Sequence, residues 1–298
     1  MSSFDTLQSR FVDQEIQAFG LRGQGAAITQ PAMALPAGDD AALWGWFNTL
    51  PKPGPIYAPS ASDFFTAYSA VIGALVPSGS LLDPIAAAQA RLAEWGSAPA
   101  TWSIDSAGLN RLLAAASGLT FHFDAVPTPP AGYFGLFGGL PPLDPSATFA
   151  SGTVKATVAC NHLSVVRPQP GDWYVSSALS LAYRTPGAAP WNPASAVNWD
   201  TAFGPNGTLR WMTTGLVVAS GLSVSAGSTA PFDAVSQSLV EAGVKAAGAW
   251  PYYLPATAAK TMVSFDDAGR LDVAITGKSK TTVVLATIVQ SAATYLGV

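Results

Sequence analysis

The chain of 298 residues contains one cysteine and two histidines, so thiol or imidazole chemistry has few places to reside. Cys160 and His162 lie two apart in a β-type run. Strand alternation puts both on one face, about 7 Å apart between Cα atoms, where the imidazole is placed to activate the thiolate. A buried cysteine beside a hydrogen-bonded core histidine explains the same letters, and no local nucleophile signature accompanies them. Alternation with Val158 and Val166 predicts that His162 is largely buried and structural. His122 and Asp124 share a face in the same way and supply two metal-ligand types, but two ligands do not make a site, and a solvated strand face accounts for them. Asp266 and Asp267 are a carboxylate pair inside Asp-Asp-Ala-Gly, a sequence that more simply builds a turn.

The motifs that would route these residues into a reaction are missing. There is no His-Glu-x-x-His, no phosphate-binding Gly-x-x-x-x-Gly-Lys loop, no Gly-x-Ser-x-Gly elbow and no Gly-x-Gly-x-x-Gly fingerprint. No cofactor and no metal are expected. Contact is better supported than chemistry. The segment 132–140 sets Tyr133, Phe134, Leu136, Phe137 and Leu140 on a glycine-rich backbone, which either covers the core or offers an apolar patch. Trp191 and Trp199, with Asn192, Asn198 and Asp200 beside them, have the composition of a sugar-stacking surface, although tryptophan is usually largely buried.

Composition bounds the partners. Hydrophobic residues make up 49% of the chain and charged residues only 11%, against about 25% charged in an ordinary soluble protein. Its surface must therefore rely on Ser, Thr, Asn, Gly, Pro and exposed apolar groups, which invites association. Fourteen Lys and Arg against eighteen Asp and Glu give a net charge of −4, with no basic cluster of the kind phosphate-backbone binding needs. Nucleic acid is thereby argued against. A single cysteine excludes an internal disulfide framework. The acidic N-terminal stretch lacks the apolar core of a classical signal peptide, and no run of about 18 uninterrupted apolar residues suggests a transmembrane helix. The compartment stays open.

The elements that must position these residues can be read in order. Phe4, Leu7, Phe11, Ile16 and Phe19 recur at helical spacing up to Gly20, and a Gly/Pro-punctuated loop follows. Asp39 and Asp40 cap a short helix to Leu50, Asp63 opens another to Pro77, Asp83-Pro84 starts a fourth, and 106–116 forms a fifth closed by Gly118. From Leu119 the period changes to two. The runs on either side of Pro170-Gly171 within 151–184 are expected to pair as a hairpin. The segment 208–226 reads as strand with glycine bends, 232–250 as a helix weakened by Gly243 and Gly248, 261–275 as a hairpin around 266–269, and 281–289, apolar on both faces, as a central strand.

The expected fold is α+β: a helical N-terminal layer, 1–118, packed on a mostly antiparallel β-sheet or sandwich body, 119–298, in two regions or one continuous domain. The leading functional expectation is a non-catalytic protein that self-assembles or binds a protein partner through a low-charge, apolar surface. Two alternatives stand beside it. One is a membrane-active, pore-forming toxin-like protein using the apolar loop or the Ser/Thr-rich strands near 222–229 at a membrane surface. The other is a motif-free hydrolase or lyase with a dispersed polar site. A carbohydrate ligand is also admitted by the Trp191 and Trp199 segment.

Overall fold

The computed structural model describes residues 3–125, 136 and 145–298. Its elements are α1 (Ser3–Ala18), β1 (Ala26–Leu35), α2 (Asp40–Asn48), β2 (Thr49–Lys52), β3 (Ala58–Asp63), α3 (Phe64–Gly73), α4 (Pro84–Trp95), α5 (Ser106–Ala115) and β4 (Leu119–Ala125). After these come α6 (Pro145–Ser151), β5 (Val154–Cys160), β6 (His162–Val166), α7 (Ser176–Arg184), α8 (Trp199–Phe203), β7 (Trp211–Ser220) and β8 (Ser223–Pro231). The chain closes with α9 (Ala234–Ala247), β9 (Ala259–Phe265), β10 (Arg270–Gly277), β11 (Thr282–Ser291) and α10 (Ala292–Leu296). The fold is α+β. Its sheets run in the orders β4-β5-β8-β10-β9, β1-β11-β7-β6 and β2-β3.

Two compact units divide the chain. The first takes residues 1–37, 110–165 and 217–286, the second 38–109, 166–216 and 287–298. In the first, the five-stranded sheet follows from strict alternation. Phe121, Phe123, Val154, Ala156, Val158, Val224, Ala226, Leu271, Val273 and Ile275 are buried on one face. The opposite face carries His122, Lys155, Thr157, Ser225 and Asp272, brought into rows by the register His122↔Thr157↔Ser225 and Lys155↔Gly227↔Asp272. The expected hairpin is β9 and β10, paired Leu271↔Phe265 through Ile275↔Thr261. Its turn needs Gly269, whose φ is +73° and whose absent Cβ would lie 2.7 Å from the Phe232 carbonyl oxygen. Phe11 of α1 packs on Phe121, Phe123 and Trp250, with ring centroids 5.9, 5.4 and 5.0 Å away.

The second unit is organised on Trp173, which is fully buried. Its ring meets Phe65 at 5.0 Å, Trp102 at 5.6 Å, Tyr68 at 5.7 Å and Phe64 at 5.8 Å. Its indole N–H donates to the Thr101 carbonyl at 3.0 Å. The α3 stripe reads as expected: Phe64, Tyr68 and Ile72 are buried, and the Asp63 carboxylate caps the helix from 2.8 Å at the Thr66 N–H.

Three local expectations are corrected. The runs flanking Pro170-Gly171 do not form a hairpin, because 176–184 is α7. Leu179, Leu181 and Tyr183 alternate like a strand, yet the buried set is Ala178, Leu179 and Ala182, a helical face. The strand 151–167 is not continuous either: a bend at Asn161 separates β5 from β6, and the two join different sheets. Finally, the segment after Gly20 holds β1, and β2 and β3 pair through the Pro51↔Pro59 and Lys52↔Ala58 register where only a stop was read. Proline at edge positions of a two-stranded sheet costs little, since its missing N–H faces away from the ladder.

Candidate functional site

The residues singled out for chemistry are in place but separately engaged. Cys160 ends β5 and is buried. Burial raises its thiol pKa, only partly offset by the Leu119 backbone, so the thiolate is disfavoured. His162 begins β6 beyond the bend, is half-buried rather than largely buried, and sets Nδ1 2.9 Å from the Ala116 carbonyl oxygen. His122 is exposed, with Nδ1 3.0 Å from Thr157 Oγ1, while Asp124 lies 3.6 Å from the Lys155 ammonium. No group of three or more His, Cys, Asp or Glu side chains placed to hold a metal occurs among the described residues. Asp266 accepts from the Ala268 and Arg270 N–H groups at 3.0 and 2.9 Å and pairs with the Arg270 guanidinium at 2.7 Å; it builds the turn.

Of the apolar segment, Tyr133, Phe134, Phe137 and Leu140 lie outside the described residues. Leu136 is buried, its N–H donating to Ser146 Oγ and its carbonyl accepting from the Trp250 N–H at 3.2 Å. Trp191 and Trp199 are drawn together through Phe203, at ring-centroid distances of 6.4 and 6.2 Å. Trp191 is buried and its indole N–H donates to the Ala182 carbonyl; that of half-buried Trp199 donates to the Tyr183 carbonyl at 2.7 Å. Both rings are packed within their own segment.

The structure places a different set of residues around a cleft of about 410 Å³, all within the second unit. A short antiparallel pairing builds one wall: Ser103 N–H donates to the Gln169 carbonyl and Gly171 N–H to the Thr101 carbonyl, each at 2.8 Å. That fixes Trp102 and Gln169 beside the cleft. Residues Phe64, Tyr174 and Tyr295 form an aromatic group, with centroids 5.7 Å apart for Phe64 and Tyr174, 6.0 Å for Phe64 and Tyr295, and 6.4 Å for the two tyrosines. Tyr295 is presented by α10, whose first turn is capped by Ser291 accepting from the Thr294 N–H at 3.3 Å. Phe47 packs on Trp102 at 6.1 Å.

Polar groups on the cleft fall into two kinds. Thr213 and Thr214 spend their hydroxyls on the Thr49 and Ile288 carbonyls, at 3.0 and 3.3 Å. Gln169, Ser176, Ser180 and Gln290 also line it, and their side chains make no hydrogen bond to other described residues. Burial holds the Tyr174 phenol far above its ordinary range, with the Tyr295 and Tyr68 hydroxyls adding to the shift. Its hydroxyl is buried, and the polar group that acts on it most strongly is the Tyr295 hydroxyl. Tyr295 itself is pushed up to about 12, again by burial. Both phenols therefore stay protonated at neutral pH.

The chain matches no protein-family model, no curated protein and no solved structure.

None of the residues singled out from the sequence lines this cleft. Its walls come from five separate stretches around 47–64, 102, 167–180, 212–214 and 290–296, so no spacing within one stretch could assemble them. One local signal existed: the Trp-Tyr pair at 173–174, one residue beyond the Pro-x-Pro-Gly run at 168–171.

Proposed function

We propose that this is a non-catalytic binding protein that takes a small, ring-bearing ligand in the cleft of its second unit. One observation carries the reading. Rings and unpaired amide and hydroxyl groups line the cleft, while no histidine, cysteine or carboxylate does so among the described residues. Ring walls supply stacking area and the polar groups supply orientation, but general acid–base work needs a group that titrates near the working pH. Here the phenols of Tyr174 and Tyr295 are held protonated. A cleft of about 410 Å³ falls within the roughly 300–1,000 Å³ of small-molecule sites.

The test is to close the cleft. Ser180 is half-buried on α7 and faces the cavity, so Ser180→Phe should fill it while leaving the fold intact. Isothermal titration with small ring-bearing fragments should give saturable heats with the native chain and none with the variant. Heats that persist in a correctly folded Ser180→Phe protein would place binding elsewhere.

A second reading, association with a protein partner or another copy, has its own support in the loop before α4. Leu81 and Leu82 are 103% and 92% exposed. They are not there through disorder of the loop: Asp83 accepts from the Ser78 N–H and from its hydroxyl at 2.8 Å, and Leu82 N–H donates to Ser80 Oγ at 3.4 Å. Two adjacent leucines held outward on a hydrogen-bonded loop are a ready hydrophobic contact.

A further inference from the structure

We propose that the ligand of the second-unit cleft is an uncharged sugar in its pyranose ring form, its hydroxyls paired with the amides and serines of the walls and its C–H face laid on Tyr174 and Tyr295. The inference rests on the cleft being the working site and adds the chemical class of what it holds. Hydrogen-bonding capacity decides the class. Gln169, Ser176, Ser180 and Gln290 line the cleft without a side-chain hydrogen bond to other described residues. A ligand that covers them removes their water, and any group then left unmatched weakens binding. An amide offers two donors and an acceptor, and a serine hydroxyl both donates and accepts. A flat hydrocarbon ring answers none of these, and a carboxylate, which only accepts, leaves the amide oxygens facing it unpaired. A ring carrying several hydroxyls answers both kinds of group. Arg167, the one charged side chain among the described residues of the cleft, already has an interaction partner, so the unengaged polar side chains on the walls are the neutral ones.

These groups stand on ordered elements. Ser176 and Ser180 lie four apart on α7, hence on one face of the helix. Gln169 is fixed through its backbone, whose carbonyl accepts from the Ser103 N–H at 2.8 Å and whose N–H donates to Ser103 Oγ at 2.9 Å. Gln290 stands near the end of β11, next to Ser291, which caps the helix that presents Tyr295. An ordered backbone beneath each polar group lowers the entropy lost when a ligand is gripped. Of the rings on the cleft, Phe47, Phe64 and Trp102 are buried, whereas Tyr174 and Tyr295 keep part of their surface open. A pyranose has the matching division, with hydroxyls around its rim and C–H groups on its faces, and an aromatic ring takes the latter by dispersion and apolar contact.

The experiment separates the class from the site. Two-dimensional NMR titrations of the isotope-labelled chain would follow Tyr174, Ser180 and Tyr295 with three kinds of probe. The first is the methyl pyranosides of glucose, galactose and mannose, taken one at a time; the second is tetrahydropyran-2-methanol, which keeps the ring and lacks the ring hydroxyls; the third is phenol, a flat ring. The series would be repeated on Gln169→Leu and on Gln169→Leu with Gln290→Leu, the melting temperature of each being checked. Gln169 is exposed, so its single variant decides the matter if the double one does not fold. At least one pyranoside should bind saturably and about tenfold tighter than tetrahydropyran-2-methanol, and that advantage should fall in the folded amide variants while phenol binds no more weakly. A pyranoside bound no tighter than tetrahydropyran-2-methanol, a pyranoside bound as tightly after the amides are removed, or saturable shifts from phenol alone would overturn the sugar and leave the cleft a ligand site. If none of the probes moves these signals saturably, both the inference and the cleft reading fail.

Discussion

At the scale of single residues, one buried carboxyl group stands out in the core of the first unit. Glu15 is fully buried on α1, accepts a hydrogen bond from the Tyr252 hydroxyl at 2.6 Å, and leaves its second oxygen without a partner. Desolvation by burial raises its pKa to about 8, against a smaller lowering from Tyr252. Gln8, about two turns earlier, is also buried, taking the Trp250 indole N–H on Oε1 and donating to Gln30, each at 2.6 Å. Protonated Glu15 is thus the folded form. The unfolded chain loses this proton in the ordinary carboxylate range, whereas the folded chain keeps it to about 8, so over that window the folded state binds more protons. The stability it contributes is fully present below the ordinary range and is lost as pH rises toward 8, by about 1 kcal/mol or slightly more per pH unit. Glu15→Gln should flatten that fall, measured as the difference between the two proteins' denaturation free energies across pH 5 to 8.5; parallel curves would show that Glu15 is ionised in the native state. The Cys160 thiol, also raised by burial, should react with Ellman's reagent at neutral pH only as fast as the chain unfolds, and rapid labelling of native protein would contradict its burial.

At the scale of elements, local chemistry explains which parts were legible in the sequence. The β4 alternation, the capped helices and the β9–β10 hairpin all follow from signals confined to a few neighbouring residues: period two, a capping aspartate, a glycine able to take a positive φ. Gly269→Ala tests the last of these and should cost about 1 to 3 kcal/mol, read from chemical denaturation, because the new Cβ meets the Phe232 carbonyl at 2.7 Å; an unchanged midpoint would show that the turn relaxes freely. The misreadings arise where two periods fit one short run. In α7, Leu179, Leu181 and Tyr183 satisfy a strand while Ala178, Leu179 and Ala182 satisfy a helix, and only packing in the second unit, where Ala178, Leu179 and Ala182 are buried, decides between them. In α1 Gln8 and Glu15 are polar by type, yet both are buried, because Trp250 and Tyr252, over 230 residues away in sequence, bring them partners. Pairing across such separations leaves no local trace.

At the scale of the whole molecule, low charge is accommodated in two ways. One sheet face mixes threonine, serine and small side chains with a few charges such as Lys155 and Asp272, and a few apolar side chains are left exposed, foremost Leu81 and Leu82. Leu81→Ser with Leu82→Ser should change stability by less than about 0.5 kcal/mol, as surface substitutions do, while weakening any association seen by sedimentation velocity; association unchanged in the double variant would remove this loop from the interface. No helix among the described residues is long and apolar enough to cross a membrane. The cleft was illegible in the sequence because its rings and amides are contributed by stretches as far apart as Phe47 and Tyr295, and the lack of a histidine, cysteine or carboxylate among the described residues of its walls is a property of their assembly. Chemical-shift mapping of the isotope-labelled protein with a mixture of small ring-bearing fragments tests the central claim most directly. The account predicts saturable shifts concentrated at Trp102, Tyr174, Ser180 and Tyr295, none at His122, Cys160 or His162, and fragments recovered chemically unchanged. Shifts centred on His122 and Thr157, or fragments recovered as reaction products, would contradict it.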